Sequence, residues 1–174
     1  MGAIKEEEEM IVQKQDCIMD VDVEKTIEYY RDHSLCDCPA CQNFYAQAAT
    51  ALPKLNEFLS ELGVDISRPD ETGWDDISDG VVDYFFVAYT VGGKILEYDK
   101  YEIDIWDGDL FLNIVIGNNG VPNKKTGEYF TIWVYGIKLP WILEERLPEV
   151  KLDKTMEKKS GFFNRIKKYF LKKQ

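Results

Sequence analysis

The spacing of apolar residues changes once along this chain of 174 residues, and this change constrains the fold more than any other feature of the sequence. Between residues 41 and 62 apolar residues recur every three or four positions, which places them on one face of a helix. Between residues 81 and 137 they largely alternate with polar residues, which is the spacing of strands with one buried face. The sequence therefore predicts an α+β domain in which one main amphipathic helix packs on an antiparallel sheet.

Three residues define the limits and the weak point of the predicted helix. Pro39 lies at the expected first turn, where the N–H that proline lacks would have no helical partner. Gly63 suits the position just after the last helical residue. Pro53 lies inside the apolar pattern, where it removes a helical hydrogen bond. We therefore expect a helix over about residues 39–62 that is kinked or split near Pro53.

Glycine-containing turns divide the segment with strand spacing. Gly92-Gly93 and Asp107-Gly108 are typical of tight turns between antiparallel strands, and they predict a β-meander. Residues 64–79 are rich in polar residues and are expected to form a loop before the sheet. Before the helix, apolar residues alternate between residues 17 and 30, which predicts one or two further strands.

Charge is distributed unevenly along the chain and indicates three regions. Residues 1–15, with four consecutive glutamates, are expected to form a solvated acidic leader, followed by a single α+β domain over residues 16–150. Residues 151–174 are predicted to be a linker and a basic amphipathic C-terminal tail, since residues 158–174 hold seven Lys/Arg and no acid. The other residues carry 14 Lys/Arg against 32 Asp/Glu, a net charge of −18.

The overall composition argues against two functional classes. A formal net charge of −11 does not suit nucleic-acid binding, because a phosphate-binding face needs clustered Lys and Arg. No apolar run approaches the roughly 20 residues of a membrane-spanning helix, and the first 15 residues have no apolar signal region. The sequence therefore predicts a cytoplasmic protein, in which cysteines are reduced or bound to metal.

Three cysteines and the only histidine lie within nine residues, between His33 and Cys41. Zinc is held by four ligands of these types, and a turn that leads into a helix can supply several of them. Cys36, Cys38 and Cys41 are therefore candidate zinc ligands, with His33 or Cys17 as the fourth. The alternative is that no cofactor binds, because Cys41 continues the apolar face of the helix and a buried thiol packs like a small apolar residue. A redox role for Cys38 and Cys41 is a third interpretation, but it requires a βαβ unit that the sequence does not predict.

The remaining motifs do not predict a catalytic site. The acidic residues within 75–79 and 104–109 lack the spacing of an EF-hand calcium loop and are typical of turns. The glycine-rich segments precede no predicted helix, so a phosphate-binding loop is not indicated. With one histidine and no nucleophile paired to it, no hydrolase triad can be assigned, which favours a non-enzymatic role.

The basic tail has the pattern of an amphipathic helix. A helix over residues 160–172 would place Phe162, Ile166, Tyr169 and Phe170 on one side and most of the lysines elsewhere. This composition is typical of a helix that lies in the interface of an anionic membrane. Docking of the tail on the acidic domain and an unstructured terminus are the alternatives.

Three motifs resemble those of a group of uncharacterised bacterial proteins. The motifs are Cys36-Asp-Cys38-Pro-Ala-Cys41-Gln-Asn43-Phe44, Leu62-Gly63-Val64-Asp65 and Leu139-Pro140-Trp141. The group shows Cys-x-Cys-x-x-Cys-x-Asn-aromatic, then Leu-Gly-Ile/Val-Asp, and a terminal Leu-Pro-Trp, and the resemblance covers about residues 25–145. It implies a bacterial cytosolic setting and a shared fold, and it implies no particular reaction.

These features together predict a non-enzymatic binding or accessory protein of the bacterial cytosol. Its acidic body suits a basic partner protein, as when an immunity protein neutralises a cationic toxin, because opposite charges steer association. The alternative is a metal- or thiol-dependent protein that uses Cys36, Cys38 and Cys41 with His33. A peripheral contact of residues 160–172 with an anionic membrane is a further predicted interaction.

Overall fold

A computed structural model describes residues 10–97, 100–118 and 128–144 of the chain. Three helices are described: α1 (Val23–Arg31), α2 (Pro39–Ala51) and α3 (Pro53–Ser60). The first four strands are β1 (Met10–Lys14), β2 (Cys17–Val21), β3 (Glu71–Ser78) and β4 (Val81–Leu96). The remaining strands are β5 (Lys100–Asp107), β6 (Leu110–Gly117), β7 (Tyr129–Tyr135) and β8 (Ile137–Pro140).

The described strands form one eight-stranded sheet in which every pairing is antiparallel. The strand order is β1-β2-β4-β7-β6-β5, and β3 and β8 also pair with β4. Strand β4 is 16 residues long and therefore organises the sheet, since it pairs with four other strands. The predicted α+β class and the predicted antiparallel sheet are confirmed.

The predicted meander is only partly present, and the predicted turn at Gly92-Gly93 is wrong. Strands β5, β6 and β7 follow one another as a meander, but β4 pairs with β7 rather than with β5. Gly92 and Gly93 lie inside β4, where pairing passes from β7 on one edge to β2 on the other. Gly93 has φ 125°, and a Cβ there would lie 2.1 Å from the carbonyl oxygen of Asp20. Glycine is thus required for close approach of two strands and not for a turn.

The segment predicted as one or two strands over residues 17–30 contains one strand and one helix. Val23–Arg31 form α1 because Asp22 caps the helix, its carboxylate accepting a hydrogen bond from the N–H of Lys25 at 2.8 Å. The buried residues Thr26, Tyr29 and Tyr30 are spaced as on one face of a helix. Over so short a stretch, the same sequence also fits a two-residue alternation, and this led to the prediction of a strand.

Helix α1 completes a stretch of the β4 edge that lies between β3 and β2. The hydroxyl of Tyr30 accepts a hydrogen bond from the N–H of Thr90 at 2.8 Å and donates one to the carbonyl oxygen of the same residue at 3.0 Å. The hydroxyl of Thr26 accepts from the N–H of Gly92, and the N–H of Asp22 donates to the carbonyl oxygen of Gly92, both at 3.0 Å. Two side chains of α1 and the backbone N–H of its capping residue thereby satisfy backbone groups that a strand would otherwise satisfy.

Two segments predicted without regular structure contain strands. Met10–Lys14, placed by the sequence in a solvated leader of residues 1–15, pair with β2, and Val12 is buried. The rest of that leader, residues 1–9, lies outside the described residues. Glu71–Ser78, placed in a polar loop over residues 64–79, pair with β4 with register shifts between Gly73 and Ser78. These irregular pairings explain why β3 has no simple alternation in its sequence.

The predicted helix over residues 39–62 is split at Pro53 into α2 and α3. The sequence predicted either a kink or a split near this proline, and the split is found. Leu52 leaves the helical conformation with φ −127° and ψ 63°, and Pro53 starts the second helix at its first position. The side chain that stabilises this new start is distant in sequence: Asp107 accepts a hydrogen bond from the N–H of Leu55 at 2.8 Å. The sequence therefore could predict the break but not its partner.

The helices and the sheet enclose one apolar core. Its largest fully buried side chains include Phe44 of α2, Tyr84 and Tyr89 of β4 and Phe130 of β7. Phe44 and Tyr84 pack edge to face with ring centroids 5.2 Å apart, which joins α2 to the sheet. Among the described residues, none of the helices has the length and apolar character that spanning a bilayer requires. The predicted linker and tail, residues 151–174, lie outside the described residues.

Candidate metal centre

The three clustered cysteines lie where the segment after α1 enters α2. Cys38 is the residue before the helix, with the extended conformation φ −67° and ψ 148°, and Pro39 occupies the first helical position. Cys41 is in the first turn of α2 and is buried, as the sequence predicted. The short segment between Cys36 and the start of α2 thus returns all three side chains to one place.

The sulfur atoms of Cys36, Cys38 and Cys41 all lie within 4.8 Å of one another. Their exposure is graded, since Cys36 is exposed, Cys38 is half-buried and Cys41 is 4% exposed. All three are free thiols rather than disulfides. In a tetrahedral zinc site with bonds of about 2.3 Å, ligand sulfurs are separated by about 3.8 Å, so the observed cluster needs to contract by about 1 Å at most.

The surroundings of Cys36 favour the thiolate form of its side chain and lower its pKa. The backbone N–H of Cys38 donates a hydrogen bond to the sulfur of Cys36 at 3.5 Å, and this bond is the main cause that lowers the pKa of Cys36. Neighbouring thiols contribute further hydrogen bonds that lower this pKa. A thiolate is the form that ligates metals and attacks electrophiles, so the lowered pKa makes Cys36 more reactive near pH 7 than an ordinary cysteine.

The thiol of Cys41 has the opposite character. Burial raises the pKa of Cys41 to about 12, while a hydrogen bond with Thr72 acts against this shift. The sulfur of Cys41 and the hydroxyl oxygen of Thr72 are 2.9 Å apart. Burial also raises the pKa of the neighbouring Tyr45, with a further contribution from Cys41. Thr72 and Tyr45 therefore line the inner side of the cluster.

The sequence did not identify Thr72 as part of this site. Thr72 belongs to β3, a strand that lies in the segment predicted as a loop. The position of Tyr45, one helical turn after Cys41, was a usable signal, because residues four apart lie on the same helical face.

The structure does not place His33 with the three cysteines. Nε2 of His33 lies 3.2 Å from the carbonyl oxygen of Pro69, and Nδ1 lies 3.7 Å from a carboxylate oxygen of Asp70. The ring also stacks on Tyr29 with centroids 6.0 Å apart. Both ring nitrogens thus face other partners, and His33 is not a member of the described group of potential ligands.

Cys17, the alternative fourth ligand, is also separate from the cluster. It lies in β2, is 1% exposed and belongs to the apolar core. Burial raises the pKa of Cys17 to about 11, so its thiol is neutral near pH 7. This residue packs as a small apolar side chain.

Other candidate groups have structural partners. Asp104 accepts a hydrogen bond from the side-chain amide of Asn113 at 2.7 Å, and Asp107 accepts from the start of α3. Within the part of the chain that the structure describes, the three-cysteine group is the one set of histidine, cysteine and acidic residues arranged to hold an ion. The antiparallel sheet also provides no βαβ unit before Cys38, so the expected frame of the redox interpretation is not found among the described strands.

Comparison of the chain with protein-family models, with curated proteins and with solved structures found no match. The resemblance to uncharacterised bacterial proteins therefore stays a prediction from the motifs.

Proposed function

We propose that this protein is a metal-binding accessory domain in which Cys36, Cys38 and Cys41 hold a thiophilic ion, with zinc the first candidate. The observation that carries the proposal is the convergence of three sulfurs within 4.8 Å at the start of one helix. Thiolate ligands select soft or borderline ions, among which zinc and Cu(I) are the common biological choices.

The surroundings of the cluster support ligation over simple packing. A cysteine kept only as a small apolar residue is buried, as Cys17 is, whereas Cys36 is exposed and therefore contributes nothing to the core. The N–H of Cys38 donates to the sulfur of Cys36, which stabilises the charged form that a metal ion requires. Thr72 similarly fixes the sulfur of Cys41 from the other side.

Metal analysis of the reduced, untagged full chain tests this proposal. We expect close to one zinc ion per chain after loading and dialysis, and an affinity at least tenfold lower for Cys36→Ser and for Cys38→Ser. Cys17→Ala is the matched control, because it removes a thiol outside the cluster and should retain the ion. A wild-type chain that binds no zinc or Cu(I), or binds it equally well without Cys36 and Cys38, would contradict the proposal.

A second candidate function, capture of a basic partner protein, is favoured by one surface of the sheet. Trp106 and Phe111 face each other across the β5–β6 hairpin with ring centroids 5.1 Å apart, and they are 59% and 48% exposed. Asp104 lies two residues from Trp106 on the same strand face and is exposed. Exposed aromatic side chains beside acids suit a cationic partner with apolar anchors. The net charge of −11 would steer such a partner towards the domain.

Binding of a synthetic peptide of alternating lysine and phenylalanine tests this second function. We expect Trp106→Ala to weaken binding at least tenfold and added salt to weaken it further, because the contact combines aromatic and charge terms. Ile27→Ala is the control, since Ile27 is similarly exposed on α1, away from the hairpin. Equal binding by the two variants would show that the aromatic surface of the β5–β6 hairpin does not bind the peptide.

A further inference from the structure

The cysteine cluster supplies three ligands for a metal ion, and a fourth from this chain would have to be another cysteine or the histidine. The sequence contains four cysteines and one histidine, and every one of them lies within the described residues. Cys36, Cys38 and Cys41 converge, Cys17 is buried in the core at β2, and His33 contacts Pro69 and Asp70. The chain therefore has no further thiol or imidazole free to complete a tetrahedral site.

The position of the cluster makes its fourth coordination site accessible from outside the protein. Cys41 is on the inner side, against Thr72, while Cys36 is exposed and Cys38 is half-buried. An ion held by these three sulfurs would lie at the molecular surface. Among the described residues, no carboxylate belongs to the group either. A three-thiolate zinc ion at a surface binds one more ligand to reach its usual four.

We propose that this fourth ligand is the thiolate of a small thiol supplied from outside the chain. The inference rests on the proposed metal function and specifies the ligand class that the site recognises. A thiolate fits best because sulfur matches the softness of the three sulfurs already present. Four-thiolate zinc sites are also among the common closed arrangements.

The binding step is a ligand exchange and involves no change in oxidation state. The incoming thiol releases its proton to solvent, its sulfur forms one bond to the metal ion, and any water at that position is released. The bonds from Cys36, Cys38 and Cys41 to the ion remain. The exposed position of Cys36 gives the incoming sulfur a route that the buried side of the cluster does not offer.

Cobalt(II) substitution provides a direct readout, because thiolate-to-cobalt absorption reports the number of sulfur ligands. The full reduced chain is loaded with one equivalent of cobalt and titrated with glutathione. We expect a saturable rise of about one third in this absorption as a fourth thiolate joins three. Titration with acetate is the control, since a carboxylate can ligate zinc but adds no sulfur, and it should cause no such rise.

Sedimentation of the same cobalt-loaded samples tests whether the fourth thiolate comes from the small thiol. Four-sulfur absorption that requires glutathione, with the protein remaining monomeric, identifies a small thiol. Four-sulfur absorption without glutathione, in a dimer that dissociates on dilution, would mean that a second copy gives up a cysteine of its own cluster as the ligand, and it would overturn the small-thiol inference. Absorption that remains at three sulfurs under all conditions overturns the inference while leaving the metal function intact. A chain that binds no cobalt or zinc instead contradicts the metal function itself.

Discussion

Asp107 at the end of β5 has a larger structural role than its place beside a hairpin turn suggests. One oxygen of its buried carboxylate accepts the N–H of Leu55 in the first turn of α3, at 2.8 Å. Since Pro53 starts this helix without a side-chain cap from its own neighbours, Asp107, which is 52 positions from Leu55, acts in place of one. The split helix and the β5–β6 hairpin are therefore coupled through this side chain, and Lys54 adds an exposed contact by donating a hydrogen bond to the carbonyl oxygen of Trp106 at 2.7 Å.

Replacing Asp107 should accordingly destabilise the fold. We expect Asp107→Ala to lower the free energy of unfolding by about 1–3 kcal/mol, because a buried N–H loses its acceptor. Asp107→Asn should cost less, since its amide oxygen can still accept. Urea denaturation measures both changes, with Asp109→Ala at the exposed turn as the control. A cost for Asp107→Ala no larger than that of Asp109→Ala would show that the contact contributes nothing.

The cysteines of the cluster should differ in reactivity according to their pKa shifts. The pKa of Cys36 is lowered by the N–H of Cys38, so a larger fraction is thiolate near pH 7 than in a free cysteine. The pKa of Cys41 is raised to about 12 by burial, so this thiol stays protonated until strongly alkaline pH. In the metal-free protein, a short pulse of iodoacetamide at pH 7 should modify Cys36 well before Cys41. Peptide mass spectrometry measures the order, and faster modification of Cys41 would contradict the assignment.

At the scale of elements, Gly93 determines how β2 and β4 meet. With φ 125° and a hypothetical Cβ only 2.1 Å from the carbonyl oxygen of Asp20, this position excludes any side chain. We expect Gly93→Ala to cost several times the roughly 1 kcal/mol of a backbone penalty alone, because β2 has to move as well. Gly108→Ala is the matched control, since Gly108 also has positive φ (60°) but nothing within 4 Å of its Cβ position. Thermal unfolding of both variants tests this, and similar losses would contradict the steric argument.

The elements that the sequence predicted well are those whose signals are local. The break at Pro53 and the start of α2 at Pro39 follow from the chemistry of proline. The antiparallel strands β5 and β6 follow from their alternation and from the Asp107-Gly108 turn. Each of these depends on residues within a few positions of one another.

The elements that sequence reasoning missed depend on contacts between distant segments. Strand β3 exists because its backbone pairs with β4, and its irregular register conceals any alternation. The site shows the same division. The cluster of Cys36, Cys38 and Cys41 was predictable from spacing, whereas the inclusion of Thr72 and the exclusion of His33 depend on tertiary contacts. Such contacts cannot be predicted from the spacing of residues in a single sequence.

At the scale of the whole molecule, charge segregation is the dominant feature. Residues 158–174 carry seven cations, and the other residues have a net charge of −18. These cations lie outside the described residues, so their role stays a prediction from the sequence. Opposite charges within one chain can attract each other, or the cationic segment can bind an anionic surface elsewhere. An experiment that separates charge from apolar contact can decide between these outcomes.

We predict that residues 160–172 form an interfacial helix that binds anionic membranes. Each cation near such a surface contributes about 1 kcal/mol, which salt weakens, and burial of Phe162, Ile166 and Phe170 adds a part that salt does not remove. Sedimentation with vesicles should show binding to phosphatidylserine-containing vesicles and not to phosphatidylcholine alone, and deletion of residues 158–174 should abolish it. Replacing the three apolar residues with serine keeps the charge, so binding should persist only at low salt. Equal sedimentation of the full and truncated chains would exclude a membrane role, and a lower Tm after truncation would instead indicate that the tail docks on the domain.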